Sequence, residues 1–148
     1  MEKTIFILLI WAFLQVLGDK NDWYPANANE IQRGCKEQHP VPSETIDQVQ
    51  RGEINDSLAL RAYILCAAKG LNVFSPGKGF DADRLAYALN RIGANRQCQR
   101  SRVRECVEKH KNVQADDAKA FSVVKCILDL EHSKADEDGP ANTWKNCE

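Results

Sequence analysis

Residues 58–81 read LALRAYILCAAKGLNVFSPGKGFD, a long apolar segment followed by a loop rich in glycine. The apolar segment predicts a helix over about residues 57–69, with Asp56 as its N-cap. Because this helix is apolar nearly all round, we expect it to be buried on several sides. The proline and glycines of residues 72–79 end the helical pattern and predict a loop.

The segments on either side also read as helices. No run of β-branched residues alternates with polar ones, so we predict no strand. Ser43 and Asp81 are predicted to N-cap the second and fourth helices. The sequence therefore predicts an all-α fold, a compact bundle of about six helices. The helices other than the third are placed at about residues 26–38, 43–50, 82–92, 95–111 and 117–132.

The composition is that of an ordinary globular protein. The chain has 148 residues, of which 43% are hydrophobic and 28% charged, so we expect one folded domain rather than disorder. The 20 lysines and arginines nearly balance the 21 aspartates and glutamates, which gives a formal net charge of -1. A charge this close to zero supplies no field that would attract nucleic acid or an anionic membrane.

The N-terminus carries the features of a secretory signal peptide. A weakly cationic start precedes an unbroken apolar run over residues 5–14, and the small residue Gly18 follows. Because the run is too short to span a bilayer comfortably, we predict cleavage after Gly18, with a retained N-terminal anchor as the alternative. This prediction divides the chain into a signal peptide, residues 1–18, and one secreted, extracellular domain, residues 19–148, with a polar tail over residues 133–148.

Six cysteines are the most unusual feature of the composition. An even number of cysteines in a small exported protein implies disulfides, because the destination is oxidising. No two of them are spaced as Cys-x-x-Cys, which argues against a zinc site or a redox motif. Spacing alone allows fifteen connectivities. The cysteines are Cys35, Cys66, Cys98, Cys106, Cys126 and Cys147.

The loop after the third predicted helix resembles a motif of the insect odorant-binding protein family. That motif is Gly-Leu-Phe followed by Gly-Phe-Asp, and this chain has Asn72-Val73-Phe74 and Gly79-Phe80-Asp81 without a gap. Asparagine suits the place of the first glycine because it tolerates the left-handed conformation that ends a helix. Six helices after a signal peptide, with cysteines in the first, third, fifth and sixth, are also similar to the family, and the resemblance covers about residues 31–130.

Two cysteines of the family pattern are absent from this chain. Ala62 and Asp117 occupy the places of the family's second and fifth cysteines, which bond to each other. Losing both leaves no orphan thiol, so the resemblance is to the minus-C branch that lacks this bridge.

The resemblance also implies a disulfide pairing. In the family the first and third cysteines pair, as do the fourth and sixth. Cys98 and Cys147 have no family counterpart and are left to each other, with two free surface cysteines as the alternative. The implied bridges are Cys35–Cys66, Cys106–Cys126 and Cys98–Cys147.

The sequence contains no recognisable catalytic pattern, so we predict that the protein is not an enzyme and that it has no cofactor or metal site. No serine lies in a Gly-x-Ser-x-Gly turn, and the three histidines are not spaced as metal ligands. Asn55-Asp56-Ser57 is a glycosylation sequon whose occupancy stays open. The arginines of the fifth helix predict a solvated face, with a receptor or anionic-surface patch as the alternative.

The resemblance implies a pocket for small apolar molecules inside the helical shell. Because no charged residue is evident among the inward-facing positions, we expect the pocket to select ligands by size and shape. Core packing is the alternative for each candidate, and Trp144 in the tail is predicted to lie over the mouth of the pocket. The candidate ligand-binding residues are Tyr63, Phe74, Phe80, Leu85, Leu89, Val103, Val107, Phe121, Val124, Leu128 and Trp144.

The predicted function is that of a secreted carrier that reversibly binds small hydrophobic ligands, such as odorants, pheromones or related lipids. One alternative is a sequestering protein of saliva, haemolymph or reproductive fluid on the same scaffold. Another is a secreted helical signalling or toxin-like protein with a solid core. The expected partner is a small apolar ligand, a membrane receptor is a further candidate, and neither nucleic acid nor membrane insertion is expected. The ligand and the oligomeric state stay open.

Overall fold

The computed structural model describes residues 22–91 and 99–135. The predicted signal peptide, Cys98 and the tail with Trp144 and Cys147 lie outside the described residues. The described part is an all-α fold with six helices, as predicted. They are α1 (Ala28–Gln38), α2 (Ser43–Gln50), α3 (Leu58–Gly70), α4 (Ala82–Arg91), α5 (Gln99–Lys109) and α6 (Asp116–Ala135).

A short strand pair interrupts the helical architecture between α3 and α4. β1 (Phe74–Ser75) and β2 (Gly79–Phe80) are antiparallel, with Phe74 opposite Phe80. The prediction that the chain has no strand is wrong here, because two-residue strands are too short to show the alternation by which strands are recognised. Gly79 makes the pairing possible, since its φ is +83° and a Cβ there would lie 3.3 Å from Lys119 Cδ on α6.

The start of α3 differs from the prediction by one residue. The N-cap is Ser57, whose Oγ accepts a hydrogen bond from the Leu60 backbone N–H at 3.2 Å. Asp56 stands one residue too early for this role. Ser43 is likewise the first helical residue of α2 rather than its N-cap, and Pro42 precedes it without a side-chain cap.

Asp81 does cap α4, as predicted. Its Oδ1 accepts a hydrogen bond from the Arg84 backbone N–H at 3.0 Å, the bond expected of an N-cap carboxylate. The cap follows β2 directly, so the strand pair and the start of α4 are set by consecutive residues.

The end of α3 is a Schellman motif built around Asn72. The φ of Asn72 is +58°, as predicted for an asparagine at this place. The N–H of Val73 donates to the Ala68 carbonyl at 3.1 Å and the N–H of Asn72 to the Lys69 carbonyl at 3.0 Å. The Asn72 Nδ2 also donates to the Trp23 carbonyl at 2.8 Å, which attaches the segment before α1 to the end of α3.

The interior consists of two groups of buried side chains, and both include residues of α3 and α6, the helices that pack most extensively against each other. The large cluster includes Phe74, Phe80, Leu85 and Val103, together with parts of α3, α4 and α6. Ile64 of α3 packs against both groups. The small cluster is formed by Val41, Ile54, Leu60 and Phe121.

Two disulfides join helices in the described part of the chain. Cys35–Cys66 links α1 to α3 and Cys106–Cys126 links α5 to α6, each with its Cα atoms 5.7 Å apart. These are the two bonds that the resemblance implies for the family cysteines. Cys35 and Cys106 are both buried, so the bonds lie at the core rather than on the surface.

Candidate ligand-binding site

Six of the predicted pocket residues lie in or against the large cluster. Four are buried members, and Leu89 and Val107 are half-buried side chains packed against them. They come from the loop, α4 and α5, so the fold brings together candidates that are distant in sequence. The buried members are Phe74, Phe80, Leu85 and Val103.

Phe74 and Phe80 face each other across the strand pair. Their ring centroids are 5.0 Å apart with the planes at 84°, an edge-to-face contact, and both rings are buried. The Asp81 N–H donates to the Val73 carbonyl at 2.9 Å and extends the pairing by one further bond. The two aromatic residues therefore form one wall together rather than two independent contacts.

Three other candidates belong to the second group. Phe121 is a buried member of the small cluster, and Tyr63 and Leu128 are half-buried side chains packed against it. Val124 is half-buried and packs into neither cluster, although its helical spacing from Phe121 predicts a shared face. Trp144 lies outside the described residues. The predicted lining is thus divided between two apolar groups that meet at Ile64.

No charged side chain is buried in the described part of the chain. Every buried residue that the structure describes there is apolar or glycine, and no aspartate, glutamate, lysine or arginine is among them. In the same residues no group of histidines, cysteines and carboxylates is arranged to hold a metal ion. An apolar interior of this kind can bind by shape and burial of apolar surface.

Charged groups are instead paired at the outer edge of the small cluster. Arg61 donates from Nε to Asp56 Oδ1 at 2.6 Å and from Nη2 to Oδ2, and its guanidinium carbon lies 5.8 Å from the centroid of the Phe121 ring. The hydrogen bonds from Arg61 are the main cause that lowers the pKa of the Asp56 carboxyl, against a smaller opposing effect of burial. The same hydrogen bonds raise the pKa of Arg61.

Sequence reasoning missed a groove on the outside of the bundle. A half-open cavity of about 270 Å³ lies between the C-terminal end of α5 and one face of α6. Lys109 and His110 contribute from the end of α5. The signal in the sequence was the polar row at i, i+3 and i+7 on α6, Ser122, Lys125 and Asp129, which we did not single out from the sequence. The α6 lining is Phe121, Ser122, Lys125, Cys126, Asp129 and Leu130.

Comparison with known proteins identifies the fold family. The model of the PBP/GOBP family, the pheromone-binding and general odorant-binding proteins, matches residues 20–129. This chain belongs to the PBP/GOBP family. It is also similar to the B1 protein of Tenebrio molitor, with 24% identity over 94 residues that make up 64% of this chain and 70% of that protein.

Membership in the PBP/GOBP family confirms the resemblance drawn from the loop and the cysteine pattern. Members of the family are binding and carrier proteins for odorants and pheromones rather than enzymes, which confirms the prediction that this protein is not an enzyme. Within residues 22–91 and 99–135, no helix is long and apolar enough to cross a membrane.

Proposed function

We propose that this PBP/GOBP protein is exported after cleavage of residues 1–18 and reversibly binds small hydrophobic ligands, such as odorants, pheromones or related lipids, in its apolar interior. The large and small clusters supply the walls of the site. The two disulfides hold α1 to α3 and α5 to α6 around it. The protein solubilises and releases its ligand without chemical turnover.

The observation that carries this proposal is the uncharged interior. Half-buried apolar side chains of inward faces adjoin the buried ones, so apolar surface is available beside the packed core. Burying a ligand against such surface contributes about 25 cal/mol per Å² of apolar area removed from water. The available half-buried residues include Tyr63, Leu89, Val107 and Leu128.

The same observation argues against a sequestering protein that captures cationic amines. A buried ammonium group needs a carboxylate partner to offset its desolvation. None of the buried residues in the described part carries a carboxylate. The interior thus supports neutral apolar ligands over charged ones.

The experiment is a fluorescence titration with N-phenyl-1-naphthylamine. The carrier function requires saturable binding of this apolar probe and its displacement by neutral aliphatic alcohols and esters. A signalling or toxin-like protein with a solid core would give no saturable binding, and that result would overturn the proposal.

Leucine-to-tryptophan variants locate the site. Leu89→Trp and Leu128→Trp enlarge half-buried side chains beside the large and the small cluster, and we expect at least one of them to weaken probe binding by roughly tenfold. Leu58→Trp is the matched control, because Leu58 is 81% exposed at the start of α3. Circular dichroism and urea unfolding establish that each variant folds. Equal affinity of all three variants would place the probe elsewhere.

A further inference from the structure

The outer groove between α5 and α6 has an apolar floor and a cationic rim. Its apolar lining consists of Phe121, Leu130 and the disulfide-bonded Cys126. The polar groups are Lys109, His110, Ser122, Lys125 and Asp129.

The rim carries more positive than negative charge. Lys125 Nζ lies 3.1 Å from Asp129 Oδ1 and 3.0 Å from Oδ2, so these two side chains form an ion pair with no net charge. Lys109 has no carboxylate partner among the residues that the structure describes, and neither does the imidazole of His110. Lys109 is therefore the cation at this groove that stays available to a ligand.

We propose that this groove is a second binding site, for a small amphiphile with an anionic head and an aliphatic body. The head pairs with the Lys109 ammonium and hydrogen-bonds to His110 and the Ser122 hydroxyl. The body lies along Phe121 and Leu130. The groove shares Phe121 with the small cluster, but the groups that bind the head, Lys109, His110 and Ser122, belong to the groove alone, so this proposal does not depend on the interior site.

The volume of the groove limits the size of this ligand. Its cavity volume of about 270 Å³ lies just below the roughly 300–1,000 Å³ of pockets that hold drug-sized ligands. A short aliphatic carboxylate is therefore the ligand size that the groove favours. Longer chains would extend into solvent through the open side.

The test compares octanoate, 1-octanol and octylamine, which share a chain and differ in the charge of the head. Backbone amide shifts in nuclear magnetic resonance spectra report where each one binds. We expect octanoate to shift the amides of residues 109, 110 and 122–130, and octylamine to leave them unchanged. The octanoate affinity should fall as salt is raised, since the charges are exposed.

Two lysines on the same turn provide a matched pair of variants. Lys109→Gln should lower the octanoate affinity about fivefold, the upper range for an exposed ion pair, and leave 1-octanol unaffected. Lys111→Gln is the control, because Lys111 pairs with Glu108 and does not line the groove. Equal effects of the two substitutions would overturn the proposal.

A third variant separates the groove from the interior. Ser122→Trp fills the groove from α6, and we expect it to abolish the octanoate shifts while binding of N-phenyl-1-naphthylamine is retained. Octanoate binding that survives Ser122→Trp, or that never shifts the amides of the groove, would show that no such site exists. If the unmodified protein does not bind N-phenyl-1-naphthylamine at all, that result contradicts only the carrier function and not the groove.

Discussion

Arg61 on α3 and Asp117 on α6 form an ion pair, with Nη1 3.8 Å from Oδ2. On the alignment with the family motif, Asp117 and Ala62 occupy the positions of the two cysteines that this chain lacks. Ala62 follows Arg61 directly in the chain. On that alignment, the ion pair connects the same two helices, α3 and α6, that a restored bridge would join. A noncovalent link of half-exposed groups constrains the helices less than a covalent bond does.

The pairing of Asp56 with Arg61 should make stability depend on pH in the acidic range. Because the folded state lowers the pKa of Asp56, its contribution is fully present above the unfolded value of about 4 and is lost as pH falls through the folded value. We expect Asp56→Asn to be less stable than the unmodified protein at pH 7, with the difference shrinking as pH falls below the unfolded value. Urea unfolding at several pH values measures this. Asp47→Asn, an exposed carboxylate on α2, is the control, and an equal pH dependence there would contradict the prediction.

Restoring the missing bridge tests the alignment with the family. In the double variant Ala62→Cys with Asp117→Cys, we expect a disulfide to form spontaneously, because paired positions have Cα atoms within about 7 Å. The gain in stability should be positive but below about 4 kcal/mol, since strain and loss of the Arg61 ion pair offset part of the entropic effect. Thiol titration and urea unfolding with and without reductant measure both. Two free thiols in the double variant would contradict the alignment.

Asn72 allows a direct measurement of backbone strain at the end of α3. Asn72→Ala places a residue with a Cβ at a φ of +58°, whereas Asn72→Gly relieves the steric conflict. Both variants lose the hydrogen bond to the Trp23 carbonyl. The difference between their free energies of unfolding therefore reports the backbone conformation at this position. We expect the alanine variant to be less stable than the glycine variant by about 1 kcal/mol in urea unfolding. Equal stabilities would mean that the helix end adopts another conformation.

Gly70 of α3 lies directly against Ile31 of α1. A Cβ at this position would overlap Ile31 Cγ2, so Gly70→Ala requires Ile31 or the helix to move. The overpacking cost of about 1–3 kcal/mol exceeds the gain of about 1 kcal/mol in helix propensity, and we expect net destabilisation. Adding Ile31→Ala removes the overlap and should make the Gly70→Ala substitution neutral or favourable. If Gly70→Ala is equally harmful in both backgrounds, the steric explanation is wrong.

The pairing of Cys98 with Cys147 remains a prediction. Mass mapping of the mature protein under non-reducing conditions should find no free thiol and a peptide that links these two residues. The same map should contain the Cys35–Cys66 and Cys106–Cys126 linkages. A linkage of Cys98 to Cys126 would contradict the assignment.

Local features were predictable because they depend on a few consecutive residues. Asp81 as an N-cap and Asn72 as a left-handed helix end follow from side-chain reach and backbone sterics, and both are found in the structure. The N-cap of α3 is Ser57 rather than the predicted Asp56, an error of one residue. Either side chain suits an N-cap, and only the exact position of the first helical turn distinguishes them.

The sequence by itself determined the all-α class, the spacing of the family cysteines and the apolar inward faces. It did not determine which apolar faces meet, because periodicity identifies the buried side of a helix and not its neighbour. Only the tertiary structure separates Phe121 in the small cluster from Phe74 in the large one. It also brings Arg61 to Asp117 and opens the groove beside Lys109, since both depend on how helices distant in sequence pack together.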